Sequence, residues 1–405
     1  MIAHVNRRQL VHAGAVPLLA GLVFPIPGAA AQGSAAPAAT PAAGSLEDRI
    51  RPLIEPLMAD LFAPGVVVLV RSGGDEFFEA FGTRELGAQE PITTDDHVRV
   101  GSNTKTMTGT IILQLVQEGR LALTDPVATY RPDVPNGEHI TIAQLLDMTS
   151  GLASYSVDPA FNRVLDDDPG RTWDPEELVA IGLAKPPVFA LGEGFFYSNT
   201  NTVLLGLIAE DLGGGQLSDL MQERIFDSLK LANTRFPAVD DASLPEPHPH
   251  GYLYGNNVST IRTTALPRYQ QEEATAGTLL PSDVTDLNPS WAWAAGAAIS
   301  TAGDLATYVE ALIGGGLLDA DLQADRLASL KVPPGSTDPN AAKYGYALAQ
   351  FGPMMGHDGS LPGYTSFMGH DPATGNTLIV LATLQSAPDG KMVANEIAKA
   401  VIRVL

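Results

Sequence analysis

The stretch Val100–Leu121, VGSNTKTMTGTIILQLVQEGRL, decides how the chain is read. Met107, Ile111 and Leu115 recur with Ile112 and Val116 at helical spacing, and Gly119 stands where a C-cap glycine belongs. The pattern predicts a helix from Ser102 to Glu118. Ser102 opens it, and Lys105 follows one turn later on the same face, within side-chain reach. A serine hydroxyl is a poor nucleophile until a base removes its proton. A lysine can be that base only when neutral, which requires desolvation or a neighbouring cation to lower its pKa. The helix N-terminus adds free N–H groups and a dipole that favour a developing oxyanion. Alone, S-x-x-K is weak evidence, because a serine cap one turn before a lysine recurs by chance in many helices.

Outward from this helix, the strand patterns gather at the two ends of the chain. Leu46 to Leu61 has helical spacing. Gly65 to Val70 (GVVVLV) and Asp75 to Phe81, separated by Ser72-Gly73-Gly74, read as a hairpin. From Asp125 to about Ser290 short helices alternate with Pro/Gly-rich loops, the better helices being Ile142 to Met148, Asp174 to Ala184, Asn201 to Leu212 and Leu217 to Leu229. Strands return at Tyr344 to Phe351, Met354 to Asp358, Tyr364 to His370 and Thr377 to Leu384, before an amphipathic helix near Gly390 to Val404. The fold class is therefore α+β. One antiparallel sheet is built from both chain ends (about 46–100 and 295–405), flanked by helices in two layers, with an inserted, mostly helical lobe at about 101–294. A crevice between the lobes is the expected place for a site.

Composition removes whole classes of function. The chain has 405 residues, no Cys, 24 Lys+Arg and 46 Asp+Glu, a formal net charge of −22. Without cysteine there are no disulfides, thiolate nucleophiles or zinc–thiolate sites. The acidity argues against a nucleic-acid partner, which needs clustered cations, and against anionic membrane surfaces. Residues 1 to 31 read as an export signal: Arg7 and Arg8 precede an apolar stretch from Ala13 to Pro27, and Ala29-Ala30-Ala31 supplies a small-residue cleavage site. Asn6 to Val11 resembles a twin-arginine signal in part. Residues 32 to 45 are an Ala/Pro-rich tether, and 46 to 405 the folded domain. Removing residues 1 to 31 takes away two arginines and no acid, so the mature charge becomes −24. A secreted or periplasmic protein without stable membrane insertion is expected, and its oligomeric state is left open.

Chemistry is concentrated in three places. No serine lies in G-x-S-x-G, and H-E-x-x-H and P-loop patterns are missing. Besides Ser102 and Lys105, Tyr197-Ser198-Asn199 opens a helix: Tyr197 can relay a proton, and the Asn199 amide can bind a substrate carbonyl or Lys105. In isolation YSN is equally a helix cap with a packing aromatic. His357-Asp358-Gly359-Ser360 ends one strand pattern, where Gly359 permits close approach of substrate to the strand edge and the Ser360 N–H can complete an oxyanion hole with that of Ser102. The bland alternative is a satisfied histidine in a tight turn.

In order and spacing, S-x-x-K, then Y-x-N, then H-x-G resembles the serine β-lactamase and penicillin-recognising family, a family whose S-x-x-K chemistry is well known. The likeness is closest to its class C-like branch of D-Ala-D-Ala carboxypeptidases, esterases and D-aminopeptidases. It extends through LLDMTSGL (Leu145 to Leu152), Phe196 to Thr200 and SWAWAAGAAIS (Ser290 to Ser300), and covers essentially Leu46 to Leu405. The resemblance implies a β-lactamase/DD-peptidase-like fold and an exported serine hydrolase working through an acyl-enzyme on Ser102, with no cofactor and no metal. It implies Lys105 as general base, Tyr197 as proton relay, Asn199 as a substrate contact and His357 in the place of the third motif's Lys or His. Trp291 matches an aromatic that lines the cleft; core packing explains it equally well.

Three departures bear on substrate. The frequent His before T-S-G-L is Met148, expected to affect only packing. The third motif's middle residue, often a carboxylate-binding Thr, is Asp358, and Tyr344 to Phe351 contains no cation. Asp358 is thus expected to repel a substrate carboxylate. The expected activity is that of a D-Ala-D-Ala carboxypeptidase or β-lactamase-like enzyme. The alternative is an esterase, amidase or D-aminopeptidase taking a small-molecule or peptide amide or ester without a free carboxylate; a silent cell-wall binding protein is less expected.

Overall fold

A computed structural model describes residues 44–336, 338 and 341–405. The expected export signal, residues 1 to 31, and the expected tether up to residue 43 lie outside the described residues. Ser45, placed in the tether by the sequence reading, is the N-cap of the first helix, α1 (Leu46–Asp60), in a reciprocal capping box with Asp48.

The sheet has seven antiparallel strands. Its hairpin β1 (Gly65–Ser72) and β2 (Asp75–Gly82) comes from the N-terminal end. The remaining strands are β3 (Lys343–Tyr344), β4 (Ala349–Phe351), β5 (Met354–Leu361), β6 (Tyr364–His370) and β7 (Thr377–Ala382). Their order is β2-β1-β7-β6-β5-β4-β3, so β1 pairs with β7 (Val68 opposite Val380) and joins the two ends of the chain. The stretch read as one strand from Tyr344 to Phe351 is two short strands, with Ala347 between them at φ +49°.

The sheet is covered on both faces, which corrects the two-layer expectation to three. Strand alternation sends Val67 and Leu69 into one core and Val66, Val68 and Val70 into another. The first core holds Leu305, Val309 and Leu312 of helix Ala302–Gly314; the second holds Ile50 and Ile54 of α1 and Ile397 and Val401 of the closing helix, Val393–Ile402. A strand buried on both faces reads as the unbroken apolar run GVVVLV.

Between the sheet's two halves runs the helical lobe. Its centre is α2 (Thr104–Gln117), packed on α3 (Asn199–Gly213). Helices Pro159–Asp167, Arg268–Thr275 and Ala320–Ala328, which the spacing did not single out, complete it or adjoin it, and Leu217–Leu229 is interrupted by a π turn at Gln222–Phe226. We number the two later helices used below α4 (Ala302–Gly314) and α5 (Val393–Ile402). Among the described residues no helix is long and apolar enough to cross a membrane.

Candidate active site

The helix predicted to start at Ser102 starts two residues later. Gly101–Asn103 is a single 3₁₀ turn at the mouth of α2, and Gly101 has φ +55°, where an L side chain is strained. This turn lies against β5. A Cβ at Gly359 would stand 2.1 Å from the Val100 carbonyl oxygen, and one at Gly101 would stand 2.9 Å from Ser360 N. Gly359 therefore admits the serine turn, and Ser360 N lies against Gly101, the residue before Ser102.

Lys105 is fully buried; its Nζ donates to Ser102 Oγ at 3.0 Å and to the Ala295 carbonyl at 2.7 Å. Burial pushes its ammonium from 10.5 down to about 7, and the Asp358 carboxylate resists this. Of the two ways to lower the lysine's pKa, desolvation is the one realised. Tyr197 lies beside it, with Lys105 Nζ 4.8 Å from the ring centroid. Its buried hydroxyl has no hydrogen-bond partner, and desolvation raises its pKa well above 10, against a lowering influence of the nearby Ser102 hydroxyl. A phenol so placed stays protonated at neutral pH, whereas Lys105 can lose its proton there.

His357 and Asp358 lie within β5, not in a turn, and neither borders the cavity. The His357 ring packs on Tyr197 and Tyr344, at centroid distances of 6.1 and 5.7 Å. Its Nδ1 lies 2.6 Å from the Asp358 carbonyl oxygen, an acceptor, so Nδ1 carries the proton and Nε2 accepts from the Tyr344 hydroxyl at 3.3 Å. Desolvation, then the charge on Lys105, depress its pKa to about 3, so the ring is neutral. Burial raises Asp358 to about 6. Asp358 accepts from Asn395 Nδ2 of α5 at 2.8 Å, and Asn395 rather than Asp358 lines the cavity.

A cavity of about 340 Å³ opens at Ser102 and is lined by Asn199, Trp291, Ser360 and Asn395, with Val157, Leu165, Ile261 and Met392 supplying apolar wall. Asn199 donates from Nδ2 to Ser156 Oγ at 3.0 Å and not to Lys105. Trp291 serves both readings: it borders the cavity and packs 6.5 Å from Phe161. Met148 does more than pack. At φ +64°, its sulfur accepts from Ser198 N and Asn201 Nδ2, fastening the turn that carries Tyr197 and Asn199.

Asn395 and Tyr344 escaped the sequence reading. Asn395 is a polar residue among the buried positions of an otherwise apolar helix face, which is a readable signal. Tyr344 looks like any strand aromatic, and nothing local marks it.

The beta-lactamase family profile matches residues 50–402. The chain is 26% identical over 193 residues to a beta-lactamase of Escherichia coli strain K12, which covers 47% of this chain and 48% of that protein. It is 32% identical over 201 residues to Protein flp of Staphylococcus aureus strain COL, over 47% of this chain and 38% of the relative. The matched part thus spans half or less of these relatives. A D-stereospecific amidohydrolase from Streptomyces sp. superposes with a TM-score of 0.73 at 31% identity, over 88% of this chain and 97% of its own. A D-amino acid amidase from Ochrobactrum anthropi SV3 does so with a TM-score of 0.73 at 26% identity, over 89% and 98%. A family profile that matches across nearly all the described residues places the chain in the beta-lactamase family.

Proposed function

We propose that the protein is a serine amidase or esterase that forms an acyl-enzyme on Ser102, with a small acyl group that lacks a free carboxylate. Neutral Lys105 takes the Ser102 proton as Oγ attacks the substrate carbonyl. The oxyanion develops between the backbone N–H groups of Ser102 and Ser360. Collapse of the tetrahedral adduct breaks the C–N or C–O bond, and the leaving group receives the proton from Lys105, with Tyr197 as relay. Water then hydrolyses the acyl-enzyme. The high pKa of Tyr197 makes Lys105 the better base of the two.

The observation that carries the substrate preference is that the third motif supplies no cation: His357 is neutral, and Asp358 stands behind the cavity wall. A carboxylate arriving there would find no counter-charge, which weighs against the carboxypeptidase and β-lactamase readings. The amidase relatives agree with this direction. Export rests on the sequence of residues 1 to 31.

The test is hydrolysis of p-nitrophenyl acetate and of D-alaninamide by the purified mature protein, with intact-protein mass spectrometry for an acyl adduct. Turnover with an adduct, both lost in Ser102→Ala, is expected. Turnover that survives Ser102→Ala would overturn the assignment.

A further inference from the structure

The turn that carries Ser102 is fastened in two ways. Thr104 Oγ1 donates to the Gly101 carbonyl and Thr106 Oγ1 to the Asn103 carbonyl, each at 2.7 Å. Those bonds are local and travel with the helix. The Val100 carbonyl is different. It gathers three donors, Ser366 Oγ at 2.8 Å, Asn103 Nδ2 at 3.1 Å and Asn103 N at 3.4 Å, although a carbonyl oxygen has two lone pairs. Asn103 Nδ2 also donates to Ser366 Oγ at 2.7 Å. Because a carbonyl only accepts, the Ser366 hydroxyl points its proton at Val100 and receives the Asn103 amide. The three groups close a triangle that is buried throughout.

Ser366 belongs to β6 and stands opposite Gly359 of β5. A Cβ on Gly359 would lie 2.4 Å from Ser366 Oγ, so the missing side chain is the space through which the hydroxyl reaches the turn. Among the described residues, both side-chain hydrogen bonds between Val100–Asn103 and the sheet involve Ser366. The Ser102 and Ser360 N–H groups lie on two separate elements, the turn and β5, so their spacing depends on what holds the turn to the sheet. Asn103 Oδ1 has no partner, which is destabilising in a buried site. What Asn103 contributes there is the placement made by its Nδ2.

We propose that Ser366 and Asn103 are positioning residues for acylation, which set the Ser102 turn in register with β5 through the Val100 carbonyl. Neither borders the cavity, so they act on the nucleophile and its oxyanion donors without touching substrate. This rests on the reading under Proposed function that Ser102 is acylated, and adds the device that aims it. Lys105 owes its pKa of about 7 to burial, so loss of the triangle alters geometry and leaves that pKa in place.

Single turnover of p-nitrophenyl acetate under excess protein reads acylation alone, as a maximal rate and a half-saturating protein concentration. In Ser366→Ala the maximal rate should fall about tenfold or more with half-saturation unchanged, the scale of one lost hydrogen bond that places a reacting group. Ser366→Thr keeps the hydroxyl and should recover most of the rate. Asn103→Leu should lose about as much as Ser366→Ala, with an unchanged urea midpoint. The double variant should be no slower than the slower single variant, because the triangle works as a unit. All four should keep the rise in rate near pH 7. A wild-type maximal rate in both Ser366→Ala and Asn103→Leu overturns this inference and leaves the acyl-enzyme reading standing. So does a loss that multiplies in the double variant, or a rise displaced to higher pH, which would mean that the substitutions merely admit water to Lys105. A wild type that releases no p-nitrophenolate and forms no adduct on Ser102 overturns both.

Discussion

Replacing Lys105 by methionine tests the claim that the base is made by burial. The lysine's pKa falls from 10.5 to about 7 on folding, chiefly by desolvation. Between those values the unfolded chain binds a proton that the folded chain does not, so wild-type stability rises with pH through that window. Below about pH 7 the folded protein carries the whole penalty, at most about 5 kcal/mol for a shift of this size. Lys105→Met removes it with an apolar chain of similar length. The Ala295 carbonyl then loses its donor, at about 1–3 kcal/mol. The variant should therefore be more stable than wild type by about 2 kcal/mol at pH 6.5, and less stable by about 1–3 kcal/mol at pH 10.5. Asp358, whose raised pKa of about 6 makes stability fall as pH rises from 3.8 to 6, is coupled to Lys105; without that cation its pKa rises further, which trims the variant's gain at pH 6.5. Urea unfolding of both proteins at the two pH values, followed by tryptophan fluorescence, measures the effect. A stability difference that is the same at both pH values would refute the reasoning, because Lys105 would then carry its proton alike in the folded and unfolded chain.

The other predictions are shorter. In wild type, kcat/KM should rise with pH through about 7 as Lys105 loses its proton, and a profile flat from pH 5 to 9 would exclude it as the base. Gly359→Ala would drive a methyl to 2.1 Å from the Val100 carbonyl and 2.4 Å from Ser366 Oγ, displacing the serine turn. Ester turnover should fall about a hundredfold or more, with about 1–3 kcal/mol of stability lost in urea unfolding. Asp166 accepts from Asn257 N, Asn257 Nδ2 and Val258 N at 2.7, 2.8 and 3.0 Å, anchoring the wall residues Asn257, Thr260 and Ile261 to helix Pro159–Asp167. Asp166→Ala should speed amide hydrogen exchange across residues 256–264 and leave exchange in β1 and β7 as it is.

The sheet was legible because its strands are extreme. GVVVLV and the run TLIVLA near Thr377 are apolar enough to demand burial on both faces. The second covering layer was not legible from the strands alone, since a continuous apolar run does not say what lies on either side. It is supplied by α4, whose amphipathic pattern is short and carries Gly303 and Gly314 at its ends.

For the site, residue types and order determined the chemistry on offer: a serine and lysine one turn apart, a tyrosine, an amide at Asn199, and no cysteine to compete. Local sequence also fixed Ser102 and Lys105 as neighbours, because helical geometry brings i and i+3 together wherever the helix lies. What only the tertiary structure decided is which charges are present. Lys105 is a candidate base because the N-terminal part of α2, residues 104–113, is buried, His357 is neutral because the Tyr344 and Tyr197 rings pack on it, and Asp358 meets the cavity wall through Asn395, 37 residues along the chain. Protonation depends on solvent exclusion and on partners from distant segments, and neither is written in the spacing of a motif.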